Sequence, residues 1–169
     1  YQWGRKDPFL GSSSISSNTI AKSTISWPIS VLTSSSSGTV SYVVANPTTF
    51  VSALSSPHDW HYSSRDDTLW TTSDKTKSIY DPCPAGWRVP DGGSSGVWSK
   101  AVGSSSYFEY TYNSISQGMN FYDKFSSAST IWYPASGYCR YDNGSLDFVA
   151  KDGYYWSASP NGIYAYGLY

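Results

Sequence analysis

Stretches with the helical period are few in this chain, and short alternating stretches are many. The clearest helical pattern is "ANPTTFVSAL" (45–54). Asn46 can cap it, Pro47 suits its first turn, and Phe50, Val51 and Leu54 fall on one face. A second short helix is expected in "GGSSGVWSKAVG" (92–103), capped by Ser94 or Ser95. Val97, Trp98, Ala101 and Val102 would face inward, and Gly103 would stop it.

The second half reads as strands. "YFEYTYN", "GMNFYDKF", "STIWYPAS", "GYYWSAS" and "IYAYGLY" are short, aromatic or β-branched, and separated by Gly, Ser, Asn or Asp. "YDNG" (141–144) marks a turn, because Asn-Gly tolerates positive φ cheaply. The serine tracts "GSSSISSNT" and "TSSSSGT" read as exposed loops, and no repeat recurs at a fixed period. The pattern predicts an α+β chain in one domain over 1–169, with two short helices early and a small antiparallel sheet later. Strand neighbours point to opposite faces, so about half of the rings in "GYYWSASPNGIYAYGLY" should be buried. Trp156, Ala158, Ala165 and Leu168 are assigned to the core.

Composition narrows the function. Charged residues are 14% and aromatics 18%, the reverse of a disordered chain, so the sequence should fold. The formal net charge is −1 and no basic run exceeds "GRK", so a nucleic-acid partner is not expected. No apolar run reaches the ~20 residues of a membrane span, and direct membrane insertion is not expected. Cys83 and Cys139 are too few for a disulfide scaffold; they could bridge, pair elsewhere or stay free.

Catalytic and metal chemistry find little support. His58 and His61 in "PHDWH" lack the further ligands zinc needs, and the segment reads as a polar loop anchored by Trp60. Asp66, Asp67 and Asp74 lack the spacing of a calcium loop. No nucleophile elbow, Cys-His pair or P-loop occurs. No cofactor, metal or enzymatic activity is expected.

A resemblance enters at "SIYDPCPAGWRVPDGG" (78–93), together with "YQWGRKDPF" at the start and "YWSASP" near the end. These stretches resemble the C-terminal domain of fimbrillin-type surface proteins of gut anaerobes, which is related to the Fibrobacter-type major paralogous domain. The resemblance spans 1–169 and implies a C-type-lectin-like fold, rich in long loops, in which strands near the two chain ends pair. Within "CPAGWRVP", Pro82, Pro84 and Pro90 stiffen an extended path, Gly86 permits a turn, and Trp87 and Val89 are expected in the core. Family members run on past the "AYGLY" position to a closing strand whose cysteine pairs with the one matching Cys83. The resemblance therefore implies that the closing strand is missing after Tyr169 and that Cys83 does not bridge Cys139. "WSAS" after Trp156 and the absence of Glu-Pro-Asn do not support calcium-dependent sugar binding.

Some relatives are diversified by retroelements that substitute adenines near the C-terminus, and residues from Gly137 onward resemble such a region. Scaffold-like "NGSL", "YWSASP" and "AY" alternate with chemically unrelated residues. The latter are Arg140, Tyr141, Asp142, Asp147, Phe148, Lys151, Asp152, Tyr154, Asn161, Gly162, Ile163, Tyr164 and Gly167. Tyr offers large, rigid contact area, and Gly and Asn offer adaptable hydrogen bonds, as in a paratope. The expectation is a fimbrial-tip or outer-membrane-anchored adhesin at the cell surface. Its partner would be a protein or glycan on a host, bacterial or phage surface, and other fimbrial subunits could also bind it. The alternatives are a structural pilin or cell-wall module without a free ligand, and a hydrolase.

Overall fold

The structure, a computed structural model, describes residues 1–9, 29–63, 65–102 and 110–169. Along the chain run β1 (Ile29–Leu32), α1 (Val40–Ala45), β2 (Phe50–Ser52), α2 (Val97–Ala101) and β3 (Tyr110–Asn113). They are followed by β4 (Gly118–Asp123), β5 (Ser126–Pro134), β6 (Tyr138–Cys139), β7 (Leu146–Asp147), β8 (Tyr155–Asn161) and β9 (Tyr164–Leu168). The strands form small sheets: β1–β2 parallel, and β3–β4–β5, β6–β7 and β8–β9 antiparallel. Among the described residues this is an α+β arrangement with two short helices and predominantly antiparallel pairing.

The first helix lies upstream of its expected place. Thr39 caps α1, its hydroxyl accepting from Tyr42 N–H at 3.1 Å, and Asn46 closes the helix rather than opening it. Pro47 is the cause, because the residue before a proline is driven out of the helical region. Phe50 and Val51 then form β2 and are buried, while Leu54 is exposed. The second helix falls where the pattern puts it, with Gly96 rather than Ser94 or Ser95 at its N-terminus. Trp98 and Val102 are buried, Ala101 is half-buried and Val97 is exposed. Gly103, residues 107–109 of "YFEYTYN" and the tract "GSSSISSNT" lie outside the described residues.

The core consists of packed clusters sharing borders. Trp98, Val102, Met119, Phe121 and Leu168 join α2, β4 and β9, and Ile131, Tyr133 and Tyr155 pack against them. Each large side chain fully removed from water there contributes about 1.5–3 kcal/mol. A second cluster holds Val43, Val51, Trp60 and Leu69, and a third holds Trp70, Val89 and Ala158; Trp3 packs against both.

Indole groups tie the N-terminal segment down. Trp60 donates to Trp3 O at 2.7 Å, Trp70 to Arg5 O at 3.1 Å and Trp3 itself to Ser157 O at 2.8 Å. A buried indole N–H needs an acceptor, and backbone carbonyls of the first residues supply two of these three. Where the resemblance implied a ladder between strands near the chain ends, residues 1–9 instead reach β8 through Trp3 and Trp156. Arg5 is buried, and its guanidinium donates to Gln2 Oε1 and to the carbonyls of Thr49, Asn46 and Pro47. Burial lowers its pKa to about 10.

The "DPCPAGWRVP" segment is built around one carboxylate. Asp81 is 1% exposed and accepts from Lys77 Nζ at 2.6 Å, Cys83 N–H at 2.8 Å and Val89 N–H at 2.8 Å. Burial alone would raise its pKa, but the Lys77 ammonium and the two backbone donors outweigh burial and hold it below the ordinary carboxylate value. Gly86 takes positive φ, Trp87 N–H closes on Pro84 O, and Val89 is buried as expected. Trp87 is not in the core. It is 73% exposed, because the proline-stiffened turn carries it outward.

Candidate functional site

The C-terminal surface rests on a short hairpin and the loop that follows it. Tyr138 pairs with Asp147 and Cys139 with Leu146, and the intervening turn closes with Gly144 N–H donating to Arg140 O at 2.8 Å. Gly144 takes positive φ, as the Asn-Gly signal anticipated. Leu146, Val149 and Ala150 form a small buried cluster that Cys139 packs against. Backbone bonds brace this unit from three sides: Ala53 N–H to Tyr141 O, Ala150 N–H to Ala135 O and Gly137 N–H to Asp152 O. Phe148 and Ala150 both hold positive φ, a conformation costing about 1–3 kcal/mol each for residues bearing a Cβ, so the surrounding bonds must enforce the loop's shape.

On this frame the polar residues converge. Arg140 Nε and Nη2 grip the two oxygens of Asp142 at 3.1 and 3.0 Å, and Arg140 Nη1 lies 3.6 Å from Asp147. The Asp142 bond raises the Arg140 pKa further, and Arg140 in turn depresses that of Asp142. The arginine thereby becomes a fixed, internally neutralised fork rather than a free cation.

Beside it runs a line of rings. Phe148 stacks on Tyr138 at 5.8 Å, Tyr138 meets Tyr154 edge-on at 4.8 Å, and Tyr154 stacks on Tyr169 at 5.7 Å. Phe148 is 43%, Tyr154 39% and Tyr169 64% exposed. Burial, then the nearby Asp147, raises the phenol of Tyr138; burial, then Asp152, raises that of Tyr154, so both stay neutral hydrogen-bonding groups. Tyr141, 47% exposed, meets the His58 ring in a tilted contact at 4.0 Å.

The residues expected at this surface do not all join the patch. Lys151 is exposed and Asp152 half-buried in the loop between Phe148 and Tyr154. Asn161, Gly162, Ile163 and Tyr164 form the separate tip of the β8–β9 hairpin, where Asn161 pairs with Tyr164 and Gly162 takes positive φ. Positive φ at the first of two loop positions is what a II′ turn requires. Tyr164 is 65% exposed and makes no ring contact among the described residues. Gly167 belongs to the scaffold, since a Cβ there would stand 2.9 Å from Tyr155 O.

The core assignments in β8 and β9 hold only in part. Ala158 and Leu168 are buried and Ala165 is half-buried, but Trp156 is 44% exposed. The ladder shifts register between Trp156 and Pro160, and Ser157 and Ala158 are buried consecutively. That bulge breaks the period of two, so counting back from Ala158 misplaces Trp156. Ser157 faces inward because its hydroxyl donates to Tyr166 O at 2.8 Å, and Gly92 fits beneath it. Sequence reasoning also left out Tyr138, Tyr169 and His58. The first two carried a usable signal, as aromatics flanking the expected positions, whereas His58 comes from a distant loop.

The two cysteines are free and half-buried, and burial raises both thiols, leaving them poor nucleophiles. Among the described residues no three His, Cys, Asp or Glu side chains gather as metal ligands, and no helix is long and apolar enough to cross a membrane. Comparison with protein-family models, curated proteins and solved structures gave no match to this chain.

Proposed function

We propose that this chain is a C-type-lectin-like recognition domain of a bacterial surface adhesin, binding a protein or glycan ligand without covalent chemistry. One observation carries the reading: Phe148, Tyr154 and Tyr169 stand exposed in one line of rings through Tyr138, with Tyr141 exposed on the braced hairpin turn and Tyr164 on the separate β8–β9 tip. A contiguous aromatic surface on rigid backbone loses little entropy on binding, which is how few residues come to dominate an interface. The Arg140–Asp142–Asp147 fork adds oriented donors and acceptors at one end of that surface.

The lectin-like assignment draws on the early pair of short helices, the small antiparallel sheets and the long loops between them. Diversification of the surface by a retroelement is part of the same proposal. It calls for a reverse transcriptase gene nearby and a near-copy of the 3′ coding end that differs at adenines.

The binding test uses a glycan microarray and a panel of displayed bacterial and host surface proteins as probes. The parent chain should bind at least one probe. The triple variant Tyr141→Ala, Tyr154→Ala, Tyr164→Ala should lose that binding while keeping its melting temperature. A triple variant that unfolds, or one that binds as the parent does, refutes the reading.

A further inference from the structure

Two Asn-Gly pairs stand in the C-terminal segment, Asn143–Gly144 and Asn161–Gly162, and the fold holds them differently. When glycine follows asparagine, its backbone nitrogen can reach the side-chain amide carbon with no Cβ in the way. The attack requires that nitrogen to be unencumbered and the backbone around it to rotate.

At the first pair both requirements are resisted. Gly144 is buried and its N–H donates to Arg140 O at 2.8 Å, while Asn143 Oδ1 is pinned by Ser145 N–H at 2.8 Å. At the second pair neither is. Asn161 and Gly162 are exposed at the hairpin tip, and neither the Asn161 amide nor the Gly162 N–H has a hydrogen-bond partner among the described residues. No atom lies within 4 Å of where a Gly162 Cβ would stand. Only the last ladder pair, Asn161–Tyr164, restrains rotation, and the end of a ladder opens at little cost.

We propose that Asn161–Gly162 is a self-modifying site at which the asparagine is converted through a cyclic imide. The Gly162 nitrogen attacks Asn161 Cγ; the N–Cγ bond forms, the Cγ–Nδ2 bond breaks, and ammonia leaves carrying the proton from the Gly162 amide. Water then opens the five-membered imide at one of its two carbonyls. One cleavage gives aspartate, and the other gives isoaspartate, whose main chain runs through the former side chain. Water is the only co-reactant. Either product places a carboxylate beside Ile163 and Tyr164, and isoaspartate lengthens the two-residue turn by one main-chain atom. The chemistry needs no ligand and stands apart from the recognition role.

The test incubates the folded chain in mildly alkaline buffer and follows the peptides carrying residues 143 and 161 by mass spectrometry. Fragmentation that distinguishes isoaspartate from aspartate identifies both products. Asn161 should convert about tenfold faster than Asn143, because tenfold corresponds to about 1.4 kcal/mol, the size of one retained hydrogen bond that must first break. In the chain unfolded by urea the two rates should converge. Equal rates in the folded chain would overturn the proposal. So would a folded chain in which Asn161 is as inert as Asn143 while both convert in urea.

Discussion

Replacing Asp81 with asparagine tests how the "DPCPAGWRVP" segment is held. The carboxylate is buried and accepts from Lys77, Cys83 N–H and Val89 N–H at 2.6–2.8 Å. An amide of the same shape keeps one acceptor oxygen but turns an NH₂ toward a backbone donor, and it leaves the Lys77 ammonium without its counter-charge. Removing one partner from a buried, hydrogen-bonded pair costs about 3–5 kcal/mol. For a chain of this size that lowers Tm by roughly 6–20 °C. Differential scanning calorimetry or urea unfolding followed by tryptophan fluorescence reads the change. The sign of the pH dependence follows from the depressed pKa. The unfolded chain takes up a proton at Asp81 before the folded one does, so this stability is present above about pH 4 and is lost as pH falls through the folded value. Asp81→Asn should therefore flatten the acid limb of the stability curve. A Tm within about 2 °C of the parent, or an unchanged acid limb, would show that the carboxylate does not organise this loop.

Other substitutions probe the frame. Gly92→Ala should destabilise by about 1–3 kcal/mol in urea unfolding, since its Cβ would meet Ser157 Oγ at 2.3 Å and Tyr166 Cβ at 2.5 Å. Arg5→Lys should cost about 2 kcal/mol despite keeping the charge, because an ammonium cannot fan out to Gln2, Thr49, Asn46 and Pro47 together; calorimetry checks it. Trp87→Ala should leave stability within about 0.5 kcal/mol, as an indole that is 73% exposed contributes little packing.

The chain's own pattern determined much of the outline. Strands β3, β4, β5, β8 and β9 arise where short aromatic runs end at Gly, Asn or Asp, because such runs suit a half-buried pleated surface and those residues supply the turns. α2 and the Asn143–Gly144 turn follow from equally local chemistry. Local rules also went wrong in instructive ways. Pro47 suits a helix's first turn, yet its effect on the preceding residue makes it a helix stop, and β2 takes Phe50 and Val51 instead.

Only tertiary structure decided which rings face water. Tryptophans met opposite fates: Trp70 went into the core, Trp87 outward on a proline turn, and Trp156 outward beside a bulge where residues 157–159 of β8 oppose the single residue 166 of β9. The clustering of Arg140, Asp142 and Asp147, and the line from Phe148 through Tyr138 and Tyr154 to Tyr169, required backbone bonds reaching back to Ala53 and Ala135. Sequence sets local conformation because neighbouring residues share sterics and hydrogen bonds. Which face of a strand is buried depends on what packs against it, and that is fixed by segments far away along the chain.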